Sequence, residues 1–181
     1  MMMLSSLSLQ LLDDKNIFID EDIIAQQRFI AIKGNWKSVT PNAMLINVYT
    51  PNVIADQETL WADHFSLKSQ TLCYWIVRGD FNSVRYRNER SGCSNPFHGV
   101  DGFNKFIEES NLIDIPLREK LFTWFGSNNR RCRLDRFLMD EVWFLCLHNL
   151  VQIGLKGSIS DHIPIVLSLE EINWVLDRSS L

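Results

Sequence analysis

Four short segments carry side chains that can handle a phosphate ester. Tyr49-Thr50-Pro51-Asn52 ends the apolar run Met44–Tyr49, and Arg78-Gly79-Asp80-Phe81-Asn82 ends Tyr74–Val77. Arg133-Leu134-Asp135 leads into Phe137-Leu138, and Ser160-Asp161-His162 stands directly before Ile163-Pro164-Ile165. Carboxylates such as Asp80, Asp135 and Asp161 bind hard cations like Mg²⁺ through oxygen. A carboxylate or a histidine can take a proton from an attacking water. Tyrosine, asparagine and histidine can donate hydrogen bonds to phosphate oxygens as negative charge builds. Singly, each residue has a plain structural reading. Asp80-Phe81-Asn82 after Gly79 suits a turn, and Asp161 suits a loop or cap. His162 suits a satisfied structural histidine, Tyr49 ordinary strand composition, and Asp135 an ion pair with Arg133 or Arg136. Their conjunction at the ends of apolar runs points to one rim of a sheet, where ligand sites of α/β proteins gather.

The elements that must position these residues are legible as alternating patterns. Strands are expected at Phe29–Lys33, Met44–Tyr49, Tyr74–Val77, Phe122–Phe125, Arg133–Leu138, Val151–Leu155 and Ile163–Leu169. Asp56 is expected to cap a helix running to about Ser69, with Leu60, Trp61, Phe65 and Lys68 on one face. Asp101 is expected to cap a second, with Phe103, Phe106 and Ile107 forming a buried stripe. A short third helix is expected over Asp140–Leu147. Ser127-Asn128-Asn129-Arg130-Arg131 reads as a hairpin tip. Helices alternate with strands early and strands dominate late, which predicts an α/β sandwich of two sheets with helices outside. There is no G-x-G-x-x-G and no Walker loop.

The 181 residues suit one domain. Residues 1–27 are expected to be an acidic, poorly ordered end, residues 28–170 the domain, and residues 171–181 a tail. No apolar run approaches the roughly 18 residues a membrane helix needs, and the leucine-containing start lacks the basic region of a signal peptide. The chain is expected to be intracellular and neither secreted nor membrane-bound. The four cysteines show no zinc spacing and read as reduced thiols used as small hydrophobes. Net charge is −4, so any affinity for nucleic acid must come from local patches. Residues 78–90 and 118–136 are locally basic, and both flank the four segments. No feature points to an oligomer.

In this order, the motifs resemble the endonuclease/exonuclease/phosphatase superfamily. More narrowly, they resemble the endonuclease domain of plant non-LTR (LINE-type) retrotransposons. The residues that carry the likeness are Val48-Tyr49-Thr50-Pro51-Asn52, Gly79-Asp80-Phe81-Asn82-Ser83-Val84-Arg85, Glu89-Arg90-Ser91-Gly92, Phe122-Thr123-Trp124, Arg133-Leu134-Asp135-Arg136-Phe137-Leu138 and Ser160-Asp161-His162-Ile163-Pro164-Ile165. The resemblance covers roughly residues 28–170. It implies a four-layer α-β-β-α sandwich of the DNase I type and Mg²⁺-dependent cutting of DNA, with Mn²⁺ as the alternative ion. It also implies that Tyr49 and Asn52 contact the phosphate, that Asp80 activates water and that Asn82 orients it. His162 would bind or protonate the phosphate, Asp135 would hold His162, and Asp161 would lie on the metal side. Arg130, Arg131, Arg133 and Arg136 would contact DNA, and a nuclear location would follow.

The sequence departs from the family pattern in two places. The strand-end asparagine motif and the Q-E-T segment, whose glutamate is the family's main metal ligand, do not precede Tyr49, so the domain is expected to lack the family's first strands. Gln57-Glu58-Thr59 spells Q-E-T but falls in the expected helix after Tyr49, where Glu58 would be solvated. Arg78 stands where a small residue more often precedes the GDFN motif. The resulting expectation is a retrotransposon-derived, N-terminally truncated endonuclease-like domain with weak or no activity. A non-catalytic DNA-binding remnant and a phosphatase or phosphodiesterase of the same superfamily are the alternatives.

Overall fold

The computed structural model describes residues 18–37, 40–93, 99–156 and 160–169. The expected tail at 171–181 and the first 17 residues lie outside them. The largest element is a six-stranded sheet ordered β1-β2-β3-β4-β10-β6. Its strands are β1 (Phe18–Ala25), β2 (Phe29–Trp36), β3 (Thr40–Tyr49), β4 (Tyr74–Asp80), β6 (Leu112–Asp114) and β10 (Asp135–Asp140). Within it only β3 and β4 run parallel. Their connection is α1 (Ile54–Gln70), as a parallel pair requires a crossover.

Alternation along the strands sorts side chains to two faces. Met44, Ile46 and Val48 of β3, with Trp75 and Val77 of β4, pack under α1 and α2 (Val100–Glu109). Leu60 and Trp61 of α1 and Phe103, Phe106 and Ile107 of α2 close that core. The Trp61 and Phe106 rings stack 4.5 Å apart. On the opposite face, Ala43, Ile76, Phe137 and Met139 meet a three-stranded sheet ordered β12-β11-β7. That sheet comprises β7 (Leu117–Arg118), β11 (Leu150–Gly154) and β12 (Ile165–Leu169). Trp143 of α3 (Val142–Cys146) fills the same inter-sheet core. A third, small sheet joins β5 (Arg90–Ser91), β9 (Arg131–Cys132) and β8 (Trp124–Phe125). The expected sandwich of two sheets with helices outside is what the chain builds.

Several local expectations shift. All of β1 lies within residues 1–27, expected as an acidic, poorly ordered end, and it pairs antiparallel with β2 from Phe18–Trp36 to Ala25–Ile30. Its charged residues mislead because it is an edge strand exposed along most of its length, with Phe18 alone buried. Helix α1 starts three residues early: Val53 is its N-cap, and Asp56 lies in the first turn, where its charge still suits the helix dipole. Its buried stripe is Gln57, Leu60, Trp61 and His64; Phe65, expected inside, is 48% exposed. Glycine 99, held at φ 75°, caps α2 in place of Asp101. Burial keeps the pKa of His64 below its ordinary value, so the imidazole sits neutral among Phe29, Trp61 and Phe106. The four cysteines are free, and burial pushes the Cys132 thiol up to about 11.

One buried ion network ties the elements together. Arg136 is fully buried and donates to Glu89 (Nη1–Oε1, 2.9 Å) and Asp114 (Nη1–Oδ2, 2.8 Å). Arg133 joins the same two carboxylates at 3.0 and 2.9 Å. Burial alone would raise the pKa of Glu89, but Arg136, the Arg85 N–H and Arg133 outweigh it and hold the carboxyl below its ordinary value. Glu89 ends a 3₁₀ turn (Arg87–Glu89) and also accepts from the Arg85 and Tyr86 N–H groups. Removing one partner of such a network leaves buried charge unpaired. Glu89→Ala is therefore expected to lose about 3–5 kcal/mol of stability, measured by urea unfolding.

Candidate active site

The carboxyl ends of β3 and β4 meet the amino end of β10 at one rim. Tyr49, Asp80 and Asp135 are direct neighbours there, Tyr49 opposite Asp80 and Asp80 opposite Asp135. Aligned partners in a sheet project to the same face, so the three side chains form a row. Close contact at this rim explains Gly79, whose φ is 146°. A Cβ there would lie 1.9 Å from the Val48 carbonyl oxygen, so any side chain would force β3 and β4 apart.

The loop after β4 is fixed by both of its neighbours. Phe81 is buried against Trp61 and Phe103 of the helical core, which turns Asp80 and Asn82 outward. Asn82 adopts a left-handed φ of 46°, which asparagine tolerates. Its N–H donates to Asp80 Oδ1 at 2.9 Å, and its side-chain amide donates to the Thr50 carbonyl at 2.6 Å. The Thr50 N–H returns a bond to the Asp80 carbonyl at 2.9 Å. Asn82 thus fastens the Asp80 loop to the Tyr49–Asn52 loop, in which Asn52 is exposed.

His162 reaches the same rim from the other sheet. Its Nδ1 lies 2.8 Å from Asp135 Oδ2. Thr123 and Trp124 hold this arrangement. The buried Thr123 hydroxyl accepts from the Leu134 and Asp135 N–H groups at 2.9 Å, and its carbonyl accepts from the Ile163 N–H at 2.8 Å. Trp124 bridges to His162 through its backbone, and its indole N–H donates to Asp161 Oδ2 at 2.8 Å. Gln152 of β11 links the sheets beneath Asp135: its Oε1 accepts from the Phe137 N–H, and its amide donates to the Asp135 carbonyl.

The structure brings Asp80, Asp135 and His162 together, their nearest ligand atoms within 4.8 Å of one another. Tyr49 joins them, and Asp161 stands outside at an exposed position with its carboxylate bonded to Trp124. Asp135 pairs with His162 rather than with Arg133 or Arg136. Glu58 is exposed on α1, outside the cluster. Two expected DNA contacts are corrected. Arg136 is fully buried and the Arg133 side chain is 12% exposed, both neutralised by Glu89 and Asp114. Only Arg130 and Arg131 remain exposed, on the hairpin between β8 and β9. Sequence reasoning gave no role to Thr123, Glu89 and Asp114, whose contacts span the chain. The Thr123-Trp124 pair was the available signal.

The cluster sets one imidazole among three carboxylates. The hydrogen bond to Asp135 raises the pKa of His162; burial opposes this, and the charges of Asp135, Asp80 and Asp161 reinforce it. Burial raises Asp80 to about 6, with the Asn82 N–H opposing and the Asp135 charge adding. Asp135 is committed to His162, Asp80 Oδ1 to the Asn82 N–H and Asp161 to Trp124. Mg²⁺ wants about six oxygen ligands. With one oxygen of each carboxylate already bonded, this donor set falls short of the oxygen shell of a resident Mg²⁺.

A carboxylate with a raised pKa makes the fold favour its protonated form. That contribution is complete below the ordinary value of 3.8 and is lost as pH rises through about 6. Asp80→Asn is therefore expected to be more stable than the parent by about 3 kcal/mol at pH 8. The gain should shrink below pH 6 and vanish near pH 4, as read from urea unfolding across that range.

No protein family matches the chain by sequence, and no curated protein does. Solved structures do match by shape. The endonuclease domain of TRAS1, a telomere-specific non-LTR retrotransposon, superposes with a TM-score of 0.56 at 16% identity, over 81% of this chain and 65% of that one. The beta toxin of Staphylococcus aureus gives 0.53 at 16%, over 79% and 57%. An endonuclease/exonuclease/phosphatase family protein from Bacteroides thetaiotaomicron gives 0.53 at 12%, over 84% and 66%. The chain thus spans 57–66% of the length of these three structures. The likeness establishes the fold: the chain has the DNase I-like fold of endonuclease/exonuclease/phosphatase proteins.

Proposed function

We propose that this chain is a slow phosphodiesterase acting on DNA, of the endonuclease type found in plant LINE retrotransposons. The observation that carries the reading is the Asp135–His162 pair at 2.8 Å beside a half-buried Asp80 whose pKa is raised to about 6. A carboxylate tuned toward neutrality is suited to take a proton from water. Asp80 accepts that proton while the water oxygen forms its bond to phosphorus. The imidazolium of His162, oriented by Asp135, donates a hydrogen bond to a non-bridging phosphate oxygen as charge builds there. Tyr49, at the end of the carboxylate row and 45% exposed, offers its hydroxyl to the same phosphate. Asn52, exposed in the loop that Asn82 fastens, is the second contact from that side. The P–O bond to the leaving strand then breaks, and that oxygen takes a proton from solvent.

Because each carboxylate has one oxygen already bonded, Mg²⁺ or Mn²⁺ in this reading requires the substrate phosphate as a co-ligand, with the remaining oxygen of Asp161 as a protein donor. Weak metal retention is the reason for a low rate. The reading places the chain inside the cell, in the nucleus where its substrate is. Among the described residues no helix is long and apolar enough to cross a membrane.

Nicking of supercoiled plasmid is the direct test. Slow nicking in Mg²⁺ is expected, lost in chelator and reduced at least 100-fold in His162→Ala or Asp80→Asn. DNA binding without nicking would instead favour a binding remnant. Hydrolysis of small phosphomonoesters alone would favour a phosphatase.

The hairpin supplies the expected DNA contacts. Asn128 and Asn129 hold left-handed φ angles of 57° and 62° at its tip. Arg130 packs over Trp124, 5.7 Å from the ring, and its neighbour Arg131 bonds to Asn129. Replacing either arginine by alanine is expected to lower DNA affinity and reduce the slope of log affinity against log salt by about 1, measured by fluorescence anisotropy.

A further inference from the structure

The floor of the site contains a cation that the proposed reaction does not yet use. Arg78 lies on β4 two residues before Asp80, hence on the same face of the sheet. Ile76, two residues earlier still, belongs to the inter-sheet core, which confirms that face. Asn47 of β3 is its direct partner in register and Phe137 of β10 lies on its other side. Arg78 is therefore one step inward from the row Tyr49–Asp80–Asp135.

Among the described residues, its guanidinium has one hydrogen bond. Nε donates to Asn47 Oδ1 at 3.0 Å. Among the described residues, its two terminal nitrogens have no hydrogen-bond partner. The side chain is half-buried, and Asp135 is the charge that acts on it. Burial draws its pKa down while Asp135 pushes it up, and a guanidinium in a protein stays charged. Asp135 thus faces two cations, His162 and Arg78. The two cations lie against Asp80 and Asp135, with Asp161 further out beside Trp124. The terminal nitrogens of Arg78 are donors that an anion can take without a divalent metal.

We propose that Arg78 is the fixed cation of this site and binds a phosphate group of the ligand without a divalent ion. The planar fork of its terminal nitrogens matches two phosphate oxygens, and Asn47 fixes its orientation. His162 faces the same phosphate from the opposite sheet. The inference rests on reading the rim as a phosphate-ester site, but it concerns binding and not cleavage.

The probe is inorganic phosphate, titrated into the full chain in chelator and followed by NMR of the arginine Nε–H signals and by calorimetry. The Arg78 Nε–H signal is expected to move with saturation in the absence of any divalent ion. Arg78→Gln should weaken binding about tenfold or more, as loss of a charge-assisted contact does. Arg78→Lys should recover part of it, because the charge survives without the fork. A Lys105→Ala control, at an exposed cation of α2, should bind phosphate normally, and thermal melts would show that the variants fold. Binding that requires Mg²⁺, no binding by the parent chain, or equal binding by a folded Arg78→Gln would each overturn the proposal. Plasmid nicking distinguishes the two ideas. If nicking persists while metal-free phosphate binding is absent, only the role of Arg78 falls. If phosphate binds through Arg78 and DNA is not cut, the site takes phosphate but the nuclease reading falls.

Discussion

The buried pairing of Arg136 and Arg133 with Glu89 and Asp114 is the constraint on which the site depends. Arg136 alternates with Asp135 on β10, so the side chain anchored behind the sheet fixes the register of the one that faces the site. Glu89 sits beyond the loop that carries Asp80 and Asn82 and caps that loop through two backbone N–H groups. Asp114 ends β6, the strand that pairs with β10 on its other side. Four charges therefore bind three separate segments into one frame. Desolvating them is costly, and partial removal costs more than complete replacement. Such a cage defines a geometry more effectively than it adds stability.

Around that frame the polar groups divide into those that hold and those that remain available. Thr123, Gln152 and Asn82 spend their hydrogen bonds on backbone. Trp124 spends its indole on Asp161. Tyr49, Asp80 and His162 keep atoms facing the rim, and the burial that positions Asp80 also makes its charge uncomfortable. This is local instability placed where chemistry is possible.

The fold was largely readable because its core follows simple periodicity. Phe103, Phe106 and Ile107 are buried as their helical spacing demands, and Met44, Ile46 and Val48 as strand alternation demands. The site was readable because glycine and polar residues interrupt apolar runs at strand ends. What stayed hidden had non-local causes. Phe65 and Phe18 differ in burial through the placement of neighbouring elements, not through their own character. Arg133 and Arg136 look like a basic surface in the sequence, and only their contact with Glu89, 44 and 47 residues away, shows them to be internal. The Q-E-T at Gln57-Glu58-Thr59 was correctly set aside, because helical spacing puts Gln57 inside and Glu58 in water.

The long reach of these contacts bears on how the molecule forms. Asn82 must find Thr50, Arg136 must find Glu89 and His162 must find Asp135, across separations of 32, 47 and 27 residues. Closing such loops precedes any reward from the contacts within them. The β1–β2–β3 meander can pair locally and early. The cluster at the rim has no partial form: it exists once both sheets have docked, so a chain arrested on the way to its final state carries the residues of the site but not the site.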